Sequence, residues 1–128
     1  MDWVKKLQYR DADALLLVNV PEDMRKHFQD AFPDIEIVEA GNEAAEASFI
    51  VSFVRSEEDI QHLSEKMGTA GLVEPLFWVA YPKKSSPRYR VAISRDRGWN
   101  SLKEAGWKPV RQVSLDDDWS AIRFRFAR

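Results

Sequence analysis

The chain contains no cysteine, which excludes disulfide staples and thiolate metal sites and fits a reducing compartment. It has only two histidines, His27 and His62, in neither the His-x-x-x-His nor the His-Glu-x-x-His spacing that places two imidazoles on one metal. Each reads as a helix-surface residue. Glycine is scarce, five residues in 128, and none lies in a cluster that could cradle a phosphate with backbone amides. No nucleophile elbow of the Gly-x-Ser-x-Gly type occurs. No apolar run approaches the roughly 20 residues needed to span a bilayer, and no signal-peptide core follows Met1. The expectation is a cytoplasmic protein with no membrane association, no metal, no cofactor and no catalytic constellation.

What is abundant is material for a core. Hydrophobic residues make up 45% of the chain and aromatics 12%, including five tryptophans, which argues against disorder. A chain of 128 residues reads as a single domain. The apolar runs are short and regularly spaced. Ala14-Leu15-Leu16-Leu17-Val18, Phe49-Ile50-Val51-Ser52-Phe53 and Leu76-Phe77-Trp78-Val79-Ala80-Tyr81 are almost continuously hydrophobic, as strands buried on both faces of a parallel sheet are. Ile35–Glu39 reads as a shorter strand.

Between these runs the period changes to that of a helix. Pro21 suits a first helical turn and Glu22 and Asp23 its positive end, and Met24, Phe28, Ala31 and Phe32 fall on one face. Ser56 with Asp59 three residues on forms a weak capping box ahead of Ile60, Leu63 and Met67. A short helix carries Trp99 and Leu102 and stops at Gly106. Val110–Leu115 reads as a fifth strand. Ile122, Phe124 and Phe126 then alternate with Ala121, Arg123 and Arg125, the pattern of an antiparallel or edge strand with one wet face. The alternation of strands and helices predicts an α/β fold: a three-layer sandwich around a mostly parallel, doubly wound, Rossmann-like sheet of five to six strands with an antiparallel C-terminal strand.

In open sheets of this kind ligands bind beyond the carboxyl ends of the strands, near the switch in strand order. The rule gathers Asn19, Glu39, Arg55 and Lys83 to one rim. A dinucleotide or nucleoside methyl-donor site would be expected to place glycines after the first strand. Here the turn is Val18-Asn19-Val20-Pro21-Glu22-Asp23, with no glycine, a proline that lacks an amide donor and two acids that repel phosphate. That argues against a nucleotide cofactor. Glu39 sits where a ribose-binding acid would, and is equally read as a solvated loop residue.

The net charge is −2, unevenly spread. Residues 1–82 hold seven basic and sixteen acidic residues, and residues 83–128 hold twelve and five. The exit of the fourth strand, Pro82-Lys83-Lys84-Ser85-Ser86-Pro87-Arg88-Tyr89-Arg90, offers ammonium, guanidinium and hydroxyl donors suited to a phosphate or carboxylate. The candidate ligand-binding set is therefore Lys83, Lys84, Ser85, Ser86 and Arg88, joined by Arg55 and Asn19. The alternative is a solvated loop whose charge balances the acidic N-terminal part. Asp116-Asp117-Asp118 could hold a hard cation or simply form a turn anchored by Trp119, and the tryptophans could stack bases or pack the core.

The segment Leu76-Phe77-Trp78-Val79-Ala80-Tyr81-Pro82-Lys83-Lys84-Ser85-Ser86, with Gly98-Trp99, Gly106-Trp107 and Asp116-Asp117-Asp118-Trp119-Ser120-Ala121-Ile122-Arg123-Phe124, resembles a family of short bacterial α/β domains of unknown function. The resemblance implies the fold and a bacterial origin, and carries no activity with it. From the residues, the leading expectation is a non-enzymatic binding or regulatory domain whose rim holds an anionic small molecule, a nucleic acid or an acidic partner surface. The alternative is a small enzyme of group-transfer or sugar-phosphate type at the same rim, with Lys83 or Lys84 clamping a phosphate and Glu39 or Asp117 as general base.

Overall fold

A computed structural model describes residues 3–8, 14–39, 49–68, 76–84 and 98–126. The elements are α1 (Trp3–Lys6), β1 (Ala14–Val18), α2 (Glu22–Ala31), β2 (Glu36–Glu39), β3 (Phe49–Phe53), α3 (Glu57–Gly68), β4 (Leu76–Pro82), α4 (Asn100–Glu104), β5 (Trp107–Ser114) and β6 (Trp119–Phe126). The six strands form one mixed sheet in the order β2-β1-β3-β4-β6-β5. β2, β1, β3 and β4 are mutually parallel, and β6 is antiparallel to both neighbours.

Apolar residues that alternate along the central strands feed two separate cores. Leu16, Val18, Ile50, Phe77, Val79 and Tyr81 pack with Ile60 and Leu63 of α3 and Leu102 of α4. Leu15, Leu17, Phe49, Val51, Phe53 and Trp78 pack with Trp3 and Leu7 at α1 and with Met24, Phe28 and Phe32 around α2. Each core is sealed on one side by the sheet and on the other by helices, so the three-layer α/β sandwich is the observed architecture. A β3 that is buried at all five positions can only be a strand covered on both faces.

Local chemistry sets the helix ends. Pro21 is the N-cap of α2 in an extended conformation, with φ −64° and ψ 146°. The Ser56 hydroxyl accepts from the Asp59 amide at 3.1 Å, and the Asp59 carboxylate accepts from the Arg55 amide at 2.9 Å. The reciprocal cap expected at α3 thus forms, displaced by one residue on its return arm.

One expectation about the C-terminal hairpin is corrected. β6 is antiparallel, as its alternation suggests, but it is not an edge strand. It inserts between β4 and β5 and is buried over Trp119–Ile122 and at Phe124. The edge is β5, whose residues Lys108–Gln112 are all exposed. β5 carries Pro109 and a register irregularity between Pro109 and Arg111, which fits an edge, where a missing amide leaves no ladder bond unmade and a bulge with flanking charge discourages pairing with another chain.

α1 has only four residues, yet it is bonded to distant parts of the chain. The Trp3 indole donates to the Leu115 carbonyl at 3.0 Å, and the Trp78 indole donates to the Leu7 carbonyl at 2.9 Å. Arg123 of β6 donates to the Gln8 side-chain carbonyl at 2.8 Å. These bonds hold the α1 segment over β4 and β6, and that is why the face of β6 that reads as wet is largely covered.

Candidate functional site

Parallel pairing puts the strand exits side by side. Val18 is level with Ser52, and Ser52 with Val79, so Asn19, Arg55 and Lys83 follow one another along a single rim. On the far side of β1, Leu17 is level with Glu39 at the end of β2. On the other flank, Pro82 pairs with Trp119, which brings the Asp116–Asp118 turn beside Lys83. The convergence expected from the sequence therefore exists for Asn19, Arg55, Lys83 and Glu39. Lys84 lies exposed at the same edge. Ser85, Ser86 and Arg88 lie outside the described residues.

The strand order reverses at β1. The chain steps from β1 outward to β2, then crosses back to β3 on the opposite side of β1. The crevice between the β1 and β3 exits, walled by Asn19-Val20 and Val54-Arg55, is where an open sheet accepts a ligand. Asn19 adopts φ +56°. This left-handed conformation is the one a tight strand-to-helix turn uses glycine for, and asparagine is among the few residues that enter it cheaply. The missing glycine at this turn is thus replaced conformationally by Asn19, and the absence of a Gly-x-Gly pattern does not exclude the turn itself.

Glu39 is engaged by a residue that the sequence reading passed over. Arg25, in the second turn of α2, donates from Nε to Oε2 at 2.8 Å and from Nη2 to Oε1 at 2.6 Å. The fork-to-fork geometry is the strong form of an arginine–carboxylate pair. Glu39's hydrogen bonds, and then its charge, push the Arg25 pKa above its ordinary value. Both side chains remain substantially exposed, 37% and 46%, so a partner with better geometry can displace either at small cost. The signal for this pair was present in the sequence as a lone base on an otherwise acidic stretch of α2, fourteen residues before the acid.

The basic rim is less basic in space than in sequence. The Lys83 ammonium donates to the Ser114 hydroxyl at 2.6 Å, and its amide donates to the Asp118 carbonyl at 2.7 Å. Lys83 thus ties the β4 exit to the β5–β6 turn. In that turn one Asp116 oxygen accepts from the amides of Asp118 and Trp119, both at 2.8 Å, and Trp119 is fully buried. The aspartate run is a side-chain-capped turn anchored by an indole. All five tryptophans are buried, so they pack the cores and offer no stacking platform. His62 is exposed on α3. His27, exposed on α2, lies 5.8 Å from the Trp3 ring. Among the described residues no helix is long and apolar enough to cross a membrane.

No family model matches this sequence, and no curated protein does. Solved structures do match, over nearly the whole chain. Human N-acetylserotonin methyltransferase in complex with SAM aligns with a TM-score of 0.60 at 10% identity, covering 95% of this chain and 50% of that one. PigF with SAH aligns with a TM-score of 0.58 at 10% identity, covering 98% and 53%. A SAM-dependent methyltransferase from Aquifex aeolicus aligns with a TM-score of 0.55 at 13% identity, covering 98% and 88%. The chain spans about half the length of the first two. At such identities the similarity establishes a shared Rossmann-like fold.

This finding corrects the leading expectation from the sequence. The structures that share the fold are those of methyl-transferring enzymes, so a non-enzymatic binding domain with an anion-binding rim is not the reading they favour. The physical reason for the error is visible at the rim. Lys83 is turned into the β5–β6 turn by Ser114 and Asp118, and the acid-rich turn beside it offsets the charge that made the segment look like an anion site.

Proposed function

We propose that the chain is a small group-transfer enzyme of the methyltransferase type, with its donor in the crevice between the β1 and β3 exits. The observation that carries this reading is a juxtaposition. Asn19, in the left-handed turn conformation, and Glu39, at the end of the neighbouring strand, share the rim at the switch in strand order, in a fold shared with SAM-dependent enzymes.

The residues fit a sulfonium nucleoside better than a phosphate-bearing one. Glu22 and Asp23 open α2; they repel a phosphate and are compatible with a cationic sulfonium. Pro21 withholds one amide from the start of the helix, a loss that weighs most on a ligand needing several backbone donors, as a pyrophosphate does. Glu39 would accept the ribose hydroxyls, as the acid after the second strand does in nucleotide-binding sheets of this class. Asn19 would hold the turn close to the ligand. Arg25 would exchange its bonds to Glu39 for solvent when the ribose arrives. The donor, when bound, supplies an electrophilic methyl group; the chain's part is to bind it, orient it and exclude the wrong charge.

Calorimetric titration tests the proposal. S-adenosylhomocysteine is expected to bind, ATP and NAD are not, and Glu39→Gln is expected to weaken the complex by about tenfold, the equivalent of one charge-assisted bond. Absence of binding by the unaltered chain, or binding indifferent to Glu39, overturns the reading.

A further inference from the structure

A second concavity lies apart from the crevice and shares no residue with it. It is an open hollow of about 400 Å³ between α1, α2 and the β5–β6 turn, lined by Trp3, His27, Asp30, Ala31, Leu115 and Asp116. The volume is within the range of small-molecule sites. Its floor is aromatic and aliphatic. Trp3 is pinned there by its indole bond to the Leu115 carbonyl and by the ring of Phe28 at 4.7 Å. Neither lysine nor arginine is among the lining residues, and carboxylates stand on two different elements, Asp30 on α2 and Asp116 in the turn.

Each polar group there has a defined employment. The described bonds to Asp116 use Oδ1, which accepts from two backbone amides. Lys6 of α1 directs its ammonium to the Ser114 carbonyl at 2.8 Å and does not line the hollow. The Trp3 N–H is consumed by Leu115. What remains is an indole face, apolar methyl groups and two negative charges.

We propose that this hollow is a binding site for an organic cation: a substituted ammonium with a small apolar body. An indole face attracts cations through its quadrupole, and two flanking carboxylates add Coulomb attraction that a neutral ligand of the same shape does not feel. An anion is repelled by the same two groups. The proposal does not depend on the donor crevice, because the two share no wall.

The test is an NMR titration of the intact chain, following the indole N–H resonance of Trp3, assigned through Trp3→Phe, and the Leu115 amide. Choline is compared with dimethylbutanol, its neutral carbon isostere, at constant ionic strength. Choline is expected to shift both signals saturably in the millimolar range, with the alcohol giving no saturable shift. Asp30→Asn, on an exposed helix face, and Asp116→Asn, whose side-chain carbonyl still accepts the two turn amides, are each expected to weaken choline binding by about two- to fivefold, the scale of an exposed charge contact. Added salt is expected to weaken it further. Equal shifts from the alcohol, no saturable shift from choline, or affinity unchanged in Asp30→Asn and insensitive to salt each overturn the proposal. The last criterion stands even where Asp116→Asn disturbs the turn.

Discussion

Asn19 shows how much a single dihedral angle can stand for. Its φ of +56° lets the chain turn sharply off β1 into α2, and the cost of that conformation depends on the side chain. Glycine enters it freely, asparagine at little cost, and a β-branched residue at about 1–2 kcal/mol or more. Asn19→Gly is therefore expected to leave thermal stability within a few tenths of a kcal/mol of the parent, while Asn19→Val is expected to lower it by about 1–2 kcal/mol. Denaturant unfolding of both variants checks this, and equal destabilisation by the two would refute the assignment. The sequence held the clue: an asparagine directly after an apolar strand and two residues before a proline. It was read only as the absence of glycine, because a motif lists residue types whereas the turn requires a conformation that two residue types supply. Arg25 was overlooked for a different reason. Its role depends on Glu39, across a helix-to-strand crossover, and no local period connects them.

At the scale of elements, strands buried on both faces were the most legible. β1, β3 and β4 announce themselves because nothing polar interrupts them, and α2 and α3 because their apolar residues keep one face. The C-terminal hairpin was half legible. Its strands and antiparallel sense follow from alternation, but the insertion of β6 between β4 and β5 does not, since strand order is a long-range choice. The apparent wet face of β6 is covered by the segment after α1, where Gln8 receives Arg123, and a pattern of neighbours along one strand cannot report a cover from the other end of the chain. The α4–β5 junction depends on Gly106. It adopts φ +102°, and a Cβ there would meet the Phe126 ring at 3.0 Å. Gly106→Ala is expected to cost about 1–2 kcal/mol. Phe126 is 42% exposed and able to move aside, so adding Phe126→Ala is expected to recover the steric part of the loss and leave the backbone part. A double-mutant cycle in denaturant measures the split, and full recovery would show that the backbone angle carries no cost.

For the whole molecule, the segregation of charge along the sequence is resolved by topology. The acidic N-terminal part supplies β1, β2 and β3, the basic C-terminal part supplies β5 and β6, and one sheet joins them. Stability should be graded across that sheet. β3 and β4 have strand neighbours on both sides and helices on both faces, whereas β2 and β5 are edges with mostly exposed residues. Amide hydrogen exchange is expected to be slowest at Ile50–Phe53 and Phe77–Tyr81, approaching the global unfolding limit, and faster along β2 and the outward amides of β5. Protection in β2 equal to that in β3 would contradict this gradient. The placement of β6 has a further consequence, for the time course of assembly. The strand that seals the middle of the sheet is the last to leave a ribosome, and it must enter between β4 and a partner, β5, made just before it. Until then the β4 edge is open and the first helix has nowhere to seat Gln8. Folding of this chain should therefore be a late, concerted closure and not a vectorial growth from the N-terminus, slow for its size because its decisive contacts join the two extremes of the polypeptide.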